Sequence, residues 1–240
     1  MNNFWENNVE SGYYDKILLD GLKRNRGLQT AWHDLTFKKV KSLLSDEEKH
    51  LDYACGPGTF IGNYINNDSV GVDISENQII FAKKKYGNKG KFYTLEQFKI
   101  ENYNNYFEVI TIIGLFEFIN DNEIIDLINK LLISLKSKGE IIITTPNYGG
   151  AMRYIEKAVS RFGKLNYEQQ HVNRFNKKRL LEILKKTSVD SVEISVKKII
   201  NFGINLSFIN RKLGEKLESF FEKIFFNFFG YILLAKIRKL

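Results

Sequence analysis

Apolar positions along this chain change their period near residue 50. Before it they recur at helical spacing. A helical pattern runs from Gly12-Tyr13-Tyr14-Asp15 through Leu22, and Trp32-His33-Asp34 leads into an amphipathic stretch in which Leu35, Phe37, Val40, Leu43 and Leu44 recur at helical spacing. After it, short apolar runs alternate with amphipathic ones. His50–Tyr53 predicts a strand, Thr59 to about Asn66 a helix, and residues 69–74 a second strand. Ser75 suits an N-cap for a helix from Glu76 to Tyr86, whose last turn carries Lys83, Lys84 and Lys85 at the favourable end of its dipole. Residues 91–95 predict a third strand, and Phe107–Ile113 is a near-continuous apolar run of the kind buried on both faces. Asn120 or Asp121 caps a helix to Leu135, Ser137-Lys138-Gly139 reads as a turn, and Glu140–Thr145 is a fifth strand ended by Pro146. This alternation predicts an α/β, doubly wound, mostly parallel sheet.

Beyond Pro146 the rhythm loosens. The pattern predicts a helix near Gly150–Phe162, a polar loop over Gly163–Asn173 and a helix capped by Asn176 and ending at Lys186. A strand over Ser188–Ile199, a Phe-rich segment at 202–229 and a last strand at Tyr231–Ala235 follow. Leu217, Phe221, Phe225 and Phe228 fall on one helical face. No repeat, low-complexity tract or linker interrupts the chain, so one domain spans residues 1–240. Within it, 1–45 reads as N-terminal helices, 46–147 as the regularly alternating part and 148–240 as the looser part.

Composition narrows the class. One cysteine, Cys55, excludes a disulfide framework and any Cys-based zinc cluster, which fits a reducing compartment. The N-terminus lacks the basic and apolar regions of a secretory signal, and the longest apolar stretch near the C-terminus, Ile224 to Ala235, is short of the roughly 20 residues that span a bilayer. A soluble, cytoplasmic protein is expected. The net charge of +8 is unevenly spread. Residues 1–150 carry 17 Lys and Arg against 20 Asp and Glu, whereas residues 151–240 carry 19 against 8. The last third thus suits nucleic acid, anionic lipid or an acidic substrate, or is a solvated face of dispersed lysines.

The candidate chemistry gathers at Leu51-Asp52-Tyr53-Ala54-Cys55-Gly56-Pro57-Gly58, where an apolar strand becomes a glycine turn and then a helix. Gly56 and Gly58 allow positive φ and a close backbone approach to a ligand. The second strand ends in a carboxylate, Asp73, the place where a nucleotide-like ligand has its ribose hydroxyls recognised. Gly56, Gly58 and Gly62 also make a glycine pattern compatible with NAD. No Lys or Arg lies between His50 and Ile74, so the turn is not built around phosphate charge. The blander readings are a helix-capping role for Asp73 and a turn-organising one for Asp52.

These residues resemble the class I S-adenosylmethionine-dependent methyltransferases. Leu51–Gly58 is similar to the family's first motif, with Ala54 where glycine is usual; Val72-Asp73-Ile74-Ser75 is similar to its second-strand motif. Leu135–Glu140 followed by Thr144-Thr145-Pro146-Asn147 is similar to its turn and fifth strand, with Glu108 replacing the commoner Asp before the fourth. His171-Val172-Asn173-Arg174-Phe175 is similar to a small-molecule subgroup that includes ubiquinone-biosynthesis O-methyltransferases. The resemblance implies a Rossmann-like, seven-stranded sheet of order 3-2-1-4-5-7-6, with the last strand antiparallel and helices at the N-terminus. It implies S-adenosyl-L-methionine as cofactor, with Asp52 toward its ammonium end, Asp73 and Ile74 at the ribose, and Ala54, Gly56 and Gly58 in the turn. Leu95 and Glu96 would flank adenine, and Gly114 and Leu115 would lie beneath the methionine portion. No metal is implied.

Methyl transfer to a hydroxyl gains from a general base, and His171 is the first candidate, with His33 the second. Tyr13, Tyr14 and Trp32 are candidate pocket walls. The expected function is methylation of a small acceptor, at an oxygen of a quinol, sugar or lipid-linked saccharide. An anionic or lipid-linked acceptor and peripheral contact with an anionic membrane would use the basic, Phe-rich last third. Alternatives are an NAD-binding oxidoreductase, an RNA-binding protein or RNA methyltransferase, and a non-catalytic relative. Dispersed lysines make nucleic acid the weaker partner.

Overall fold

A computed structural model describes residues 4–46, 48–66, 68–150, 152, 170–187, 191–225 and 228–240. The helix expected at 150–162 and the first part of the polar loop fall outside the described residues, apart from 150 and 152. Seven strands form one sheet of order β3-β2-β1-β4-β5-β7-β6. They are β1 (His50–Tyr53), β2 (Ser69–Asp73), β3 (Gly90–Thr94), β4 (Phe107–Ile113), β5 (Leu135–Pro146), β6 (Val192–Ile199) and β7 (Ile232–Lys239). β1 to β5 are parallel, and β7 runs antiparallel to both β5 and β6.

The expected turn at 137–139 takes another form. β5 already pairs at Leu135 with Phe107, then resumes at Glu140 opposite Val109, so residues 136–139 bulge out of register within one strand. Lys138 takes the left-handed conformation there, at φ 64°. The chain therefore changes direction inside the strand rather than before it.

The helices are α1 (Phe4–Asn7), α2 (Tyr13–Arg24), α3 (Leu28–Lys41), α4 (Thr59–Tyr64), α5 (Glu76–Tyr86), α6 (Asp121–Ser134), α7 (Lys177–Leu184) and α8 (Arg211–Ile224). Capping follows the sequence. The Asn120 side chain accepts from the backbone N–H of Asn122 and Glu123 while Glu123 reaches back to Asn120, and Asn176 accepts from Arg179 N at 3.0 Å. Both faces of the sheet are covered, as parallel strands require. Ile141 and Ile143 pack with Ile124, Ile128 and Leu180 on one side, while Ile142 between them packs with Leu35, Phe60 and Ile204 on the other.

Two buried carboxylates fasten the N-terminal helices to this body. Asp15 of α2 is fully buried and receives the Thr59 hydroxyl at 3.1 Å, the Tyr86 hydroxyl and the Lys85 ammonium. Asp34 of α3 receives Tyr64 Oη at 2.7 Å and Arg211 Nη1 at 2.8 Å. Lys85 is partly exposed, but removing Asp15 takes the acceptor from the buried Thr59 and Tyr86 hydroxyls, and a buried donor left unsatisfied costs roughly 1–3 kcal/mol. Asp15→Ala should therefore lower the unfolding free energy by about that amount, read from urea denaturation followed by tryptophan fluorescence.

Candidate active site

The strand order reverses at β1, which lies between β2 and β4, and the carboxyl ends of the strands on both sides open a crevice there. A cavity of about 1500 Å³ fills this crevice, walled by the strand ends and by α2 and α3. It brings together Asp52, Ala54, Gly56, Asp73, Ile74, Leu95, Gly114, Leu115, His33 and His171 from separate parts of the chain. Two expected residues stand apart from its wall. Gly58 is packed behind it, where a Cβ would meet Phe92 Cε1 at 2.7 Å, and Glu96 is exposed.

The glycine turn is shaped by three left-handed residues, Ala54 at φ 64°, Gly56 at 53° and Gly58 at 73°. Ala54 carries a Cβ in a conformation that costs an L-residue roughly 1–2 kcal/mol. Cys55 N donates to Val72 O at 3.0 Å and Gly58 N donates to Cys55 O at 3.1 Å, closing the turn against β2. A Cβ at Gly56 would point into open space with nothing within 4 Å, so the turn presents bare backbone to the cavity.

Asp73 organises this turn. Its Oδ2 accepts from Gly56 N at 2.8 Å and its Oδ1 from Ser75 N at 2.9 Å. Burial pushes its carboxyl above the usual range, while those N–H groups pull the other way. Each oxygen still has an acceptor site, so the group retains capacity for a diol. Asp52 lies beneath, 2% exposed and pushed up to about 7 by burial. It ends a buried relay. Thr111 Oγ1 donates to Asp52 Oδ1 at 2.7 Å, so His50 Nε2 must donate to Thr111 Oγ1 at 2.8 Å, leaving His50 Nδ1 to accept from Ser69 Oγ at 2.9 Å. Burial lowers His50 to about 3, which keeps the ring neutral.

Another part of the wall is aromatic. Trp5 stands edge-on to Phe118 at 4.7 Å, Phe118 meets His171 at 5.1 Å, and His171 Nδ1 hydrogen-bonds the Tyr148 hydroxyl at 2.9 Å. His33 lies elsewhere on the cavity wall, against Tyr14 and Phe37, with its value lowered to about 4 by burial. Tyr14 and Trp32 line the cavity as well, and Tyr13 packs against Tyr14.

One residue absent from the sequence reading stands out. Glu117, in the short 3₁₀ turn Phe116–Phe118 after β4, is 5% exposed, lines the cavity and accepts from Thr145 Oγ1 at 3.0 Å. Burial pushes its carboxyl up to about 7. The only signal in the sequence is an acid between two phenylalanines directly after a buried strand.

With an uncharged glycine backbone, a diol-competent carboxylate and further buried acids, the cavity fits a ribonucleoside bearing cationic groups better than one bearing phosphates. Comparison with known proteins agrees. A family model described as a methyltransferase domain matches residues 23–192. The chain is a class I S-adenosylmethionine-dependent methyltransferase. Its cofactor is S-adenosylmethionine, which decides against the NAD alternative.

Solved structures share the fold of this methyltransferase at low identity. A SAM-dependent methyltransferase from Archaeoglobus fulgidus is 19% identical with a TM-score of 0.56, over 86% of this chain and 94% of that one. Magnesium protoporphyrin IX methyltransferase from Synechocystis PCC 6803, with bound SAH, is 14% identical with a TM-score of 0.56, over 95% and 97%. The plantazolicin methyltransferase BpumL, in complex with SAH, is 20% identical with a TM-score of 0.59, over 99% and 93%. No curated protein matches the sequence.

The two raised acids make stability pH-dependent. Asp52 and Glu117 hold their protons to about 7 in the folded chain, whereas unfolded carboxyls titrate near roughly 4. Their contribution is complete below the unfolded value and is lost as pH rises through about 7. Neutral His33 and His50, lowered to about 4 and about 3, act in the opposite sense up to about 6.5, so the acids are read by difference: relative to the wild type, the urea midpoint of Asp52→Asn should rise as pH rises from about 4 to 7.

Proposed function

We propose that this methyltransferase methylates an oxygen of a small acceptor, a quinol, a sugar or a lipid-linked saccharide. The acceptor is anionic or amphiphilic, and the enzyme is cytoplasmic and touches an anionic membrane peripherally. The observation that carries the reading is one cavity with a carboxylate-organised glycine turn at one wall and Trp5, Phe118 and His171 at another, His171 being hydrogen-bonded to Tyr148. Flat aromatic walls suit a ring-shaped acceptor.

In this reading Asp73 holds the ribose hydroxyls through its remaining acceptor sites, with Ile74 beside it. Asp52 faces the ammonium end, its orientation fixed by Thr111 and His50. Leu95 covers one face of adenine, with Glu96 beyond it at the rim, and Gly114 and Leu115 form the floor. Ala54, Gly56 and Gly58 give the turn its shape. Bound S-adenosylmethionine supplies an electrophilic methyl group, and the residues around it orient the acceptor and exclude water.

His171 is assigned the proton of the acceptor hydroxyl. Its support is the Tyr148 hydrogen bond, which orients the ring at the cavity wall. His33, neutral and enclosed by aromatic rings, serves better as a wall or hydrogen-bonding group than as a base, because its lowered value makes it a poor proton acceptor.

Calorimetric titration with S-adenosylmethionine tests the cofactor side. Asp73→Ala should weaken binding by at least about tenfold, as loss of a charge-assisted contact does; unchanged affinity would remove Asp73 from the ribose site. Transfer of labelled methyl to a hydroquinone or catechol tests the other side. His171→Ala should bind cofactor normally yet lose about 10²–10⁴-fold in transfer, and an unchanged rate would leave His171 with only a loop-ordering role.

A further inference from the structure

Helix α8 is amphipathic in the reverse of the usual sense. Its inward face carries Gly214 and Glu218, both buried against the 3₁₀ segment Phe202–Phe208. Glu218 accepts from Asn201 N at 2.7 Å, and Gly214 allows Ser207 to approach closely. Its apolar face looks outward instead. Leu213, Phe220 and Ile224 are 49%, 56% and 55% exposed, with half-buried Leu217 between them at helical spacing. This differs from the face expected at Leu217, Phe221, Phe225 and Phe228, because the helix ends at Ile224 and Phe221 turns partly inward. Phe208 and Ile209, just before the helix in the chain, are 76% and 74% exposed. Exposed Lys212, Lys216 and Lys223 run along one edge of the apolar face. Phe208 also lines the active-site cavity, so the apolar surface and the cavity mouth are continuous.

We propose that this face of α8, with Phe208 and Ile209, beds into the interfacial layer of an anionic lipid surface. The proposal rests on the reading of the acceptor as amphiphilic, and it supplies the surface and the delivery route. Three arguments select lipid. The apolar stripe with a lysine edge is the pattern that lies in a membrane interface plane. The lysines complement anionic headgroups, and they sit in the part of the chain where basic residues outnumber acidic ones 19 to 8. The link through Phe208 lets an acceptor pass from lipid to cavity without crossing water. Among the described residues no helix is long and apolar enough to cross a membrane, so the contact is peripheral.

Flotation of the full chain with vesicles tests this. With phosphatidylcholine vesicles containing phosphatidylglycerol the protein should rise with the lipid, and with phosphatidylcholine alone it should stay below. The variant carrying Phe220→Asp and Ile224→Asp should no longer float. A variant with Lys212→Glu, Lys216→Glu and Lys223→Glu should partition at least about 100-fold more weakly, since each basic residue near the surface contributes on the order of 1 kcal/mol. All these side chains are exposed, and calorimetry should show S-adenosylmethionine binding unchanged in both variants. Failure of the wild type to float while it still binds cofactor overturns the surface and leaves the methyltransferase reading standing. Failure to bind cofactor would count against that reading instead. A concentration-dependent dimer that Phe220→Asp dissociates, with no flotation, would overturn the lipid assignment in favour of a second copy of this chain.

Discussion

The glycine-turn wall of the cavity depends on one carboxylate and two backbone N–H groups. Asp73 ends β2, yet its side chain reaches the neighbouring loop to bind Gly56 N, and its own loop to bind Ser75 N. Without it the three left-handed residues of the glycine turn would rely on the backbone bonds from Cys55 N to Val72 O and from Gly58 N to Cys55 O. That single side chain joins two crossover loops and starts α5. It also explains why Ala54 is tolerated at positive φ, since the closure on both sides over-determines the turn. The group that shapes the site is the same group left with acceptor capacity facing the cavity.

Beneath it the line from Ser69 to Asp52 is arranged so that each donor has an acceptor. Ser69, His50, Thr111 and Asp52 cross three adjacent strands in one line, and the neutral imidazole at its centre sets the direction of every proton. Such a network is costly when incomplete and rigid when satisfied. The cavity wall retains two acids, Asp52 and Glu117, whose ionisation burial disfavours. A cationic ligand relieves that penalty, while a phosphate would add to it.

Periodicity made most of the sheet legible, because strands buried on both faces must read as apolar runs, and Phe107–Ile113 does. Caps were equally readable, as at Ser75, Asn120 and Asn176, since each satisfies backbone N–H groups with a local side chain. The bulge at 136–139 was not, because a turn and a bulge share the same local residues and differ only in pairing across the sheet. Glu117 escaped for a related reason: its burial comes from the fold around it, including its bond with Thr145 from a distant strand. The outward face of α8 was hidden too. Sequence gives the angle of an apolar stripe but not its orientation, and here Gly214 and Glu218 decide which side packs.

Arg211 begins α8, and its guanidinium binds Asp34 of α3 at 2.8 Å, while Lys38 and Lys39 of α3 pair with Glu215 and Glu222 of α8. These pairs lie along both helices, so they act as rungs and not as a single pivot. α8 is therefore tied to α3, whose Trp32 and His33 stand on the cavity wall. The two helices are joined along their length, one with an apolar face outward and the other resting on the cavity.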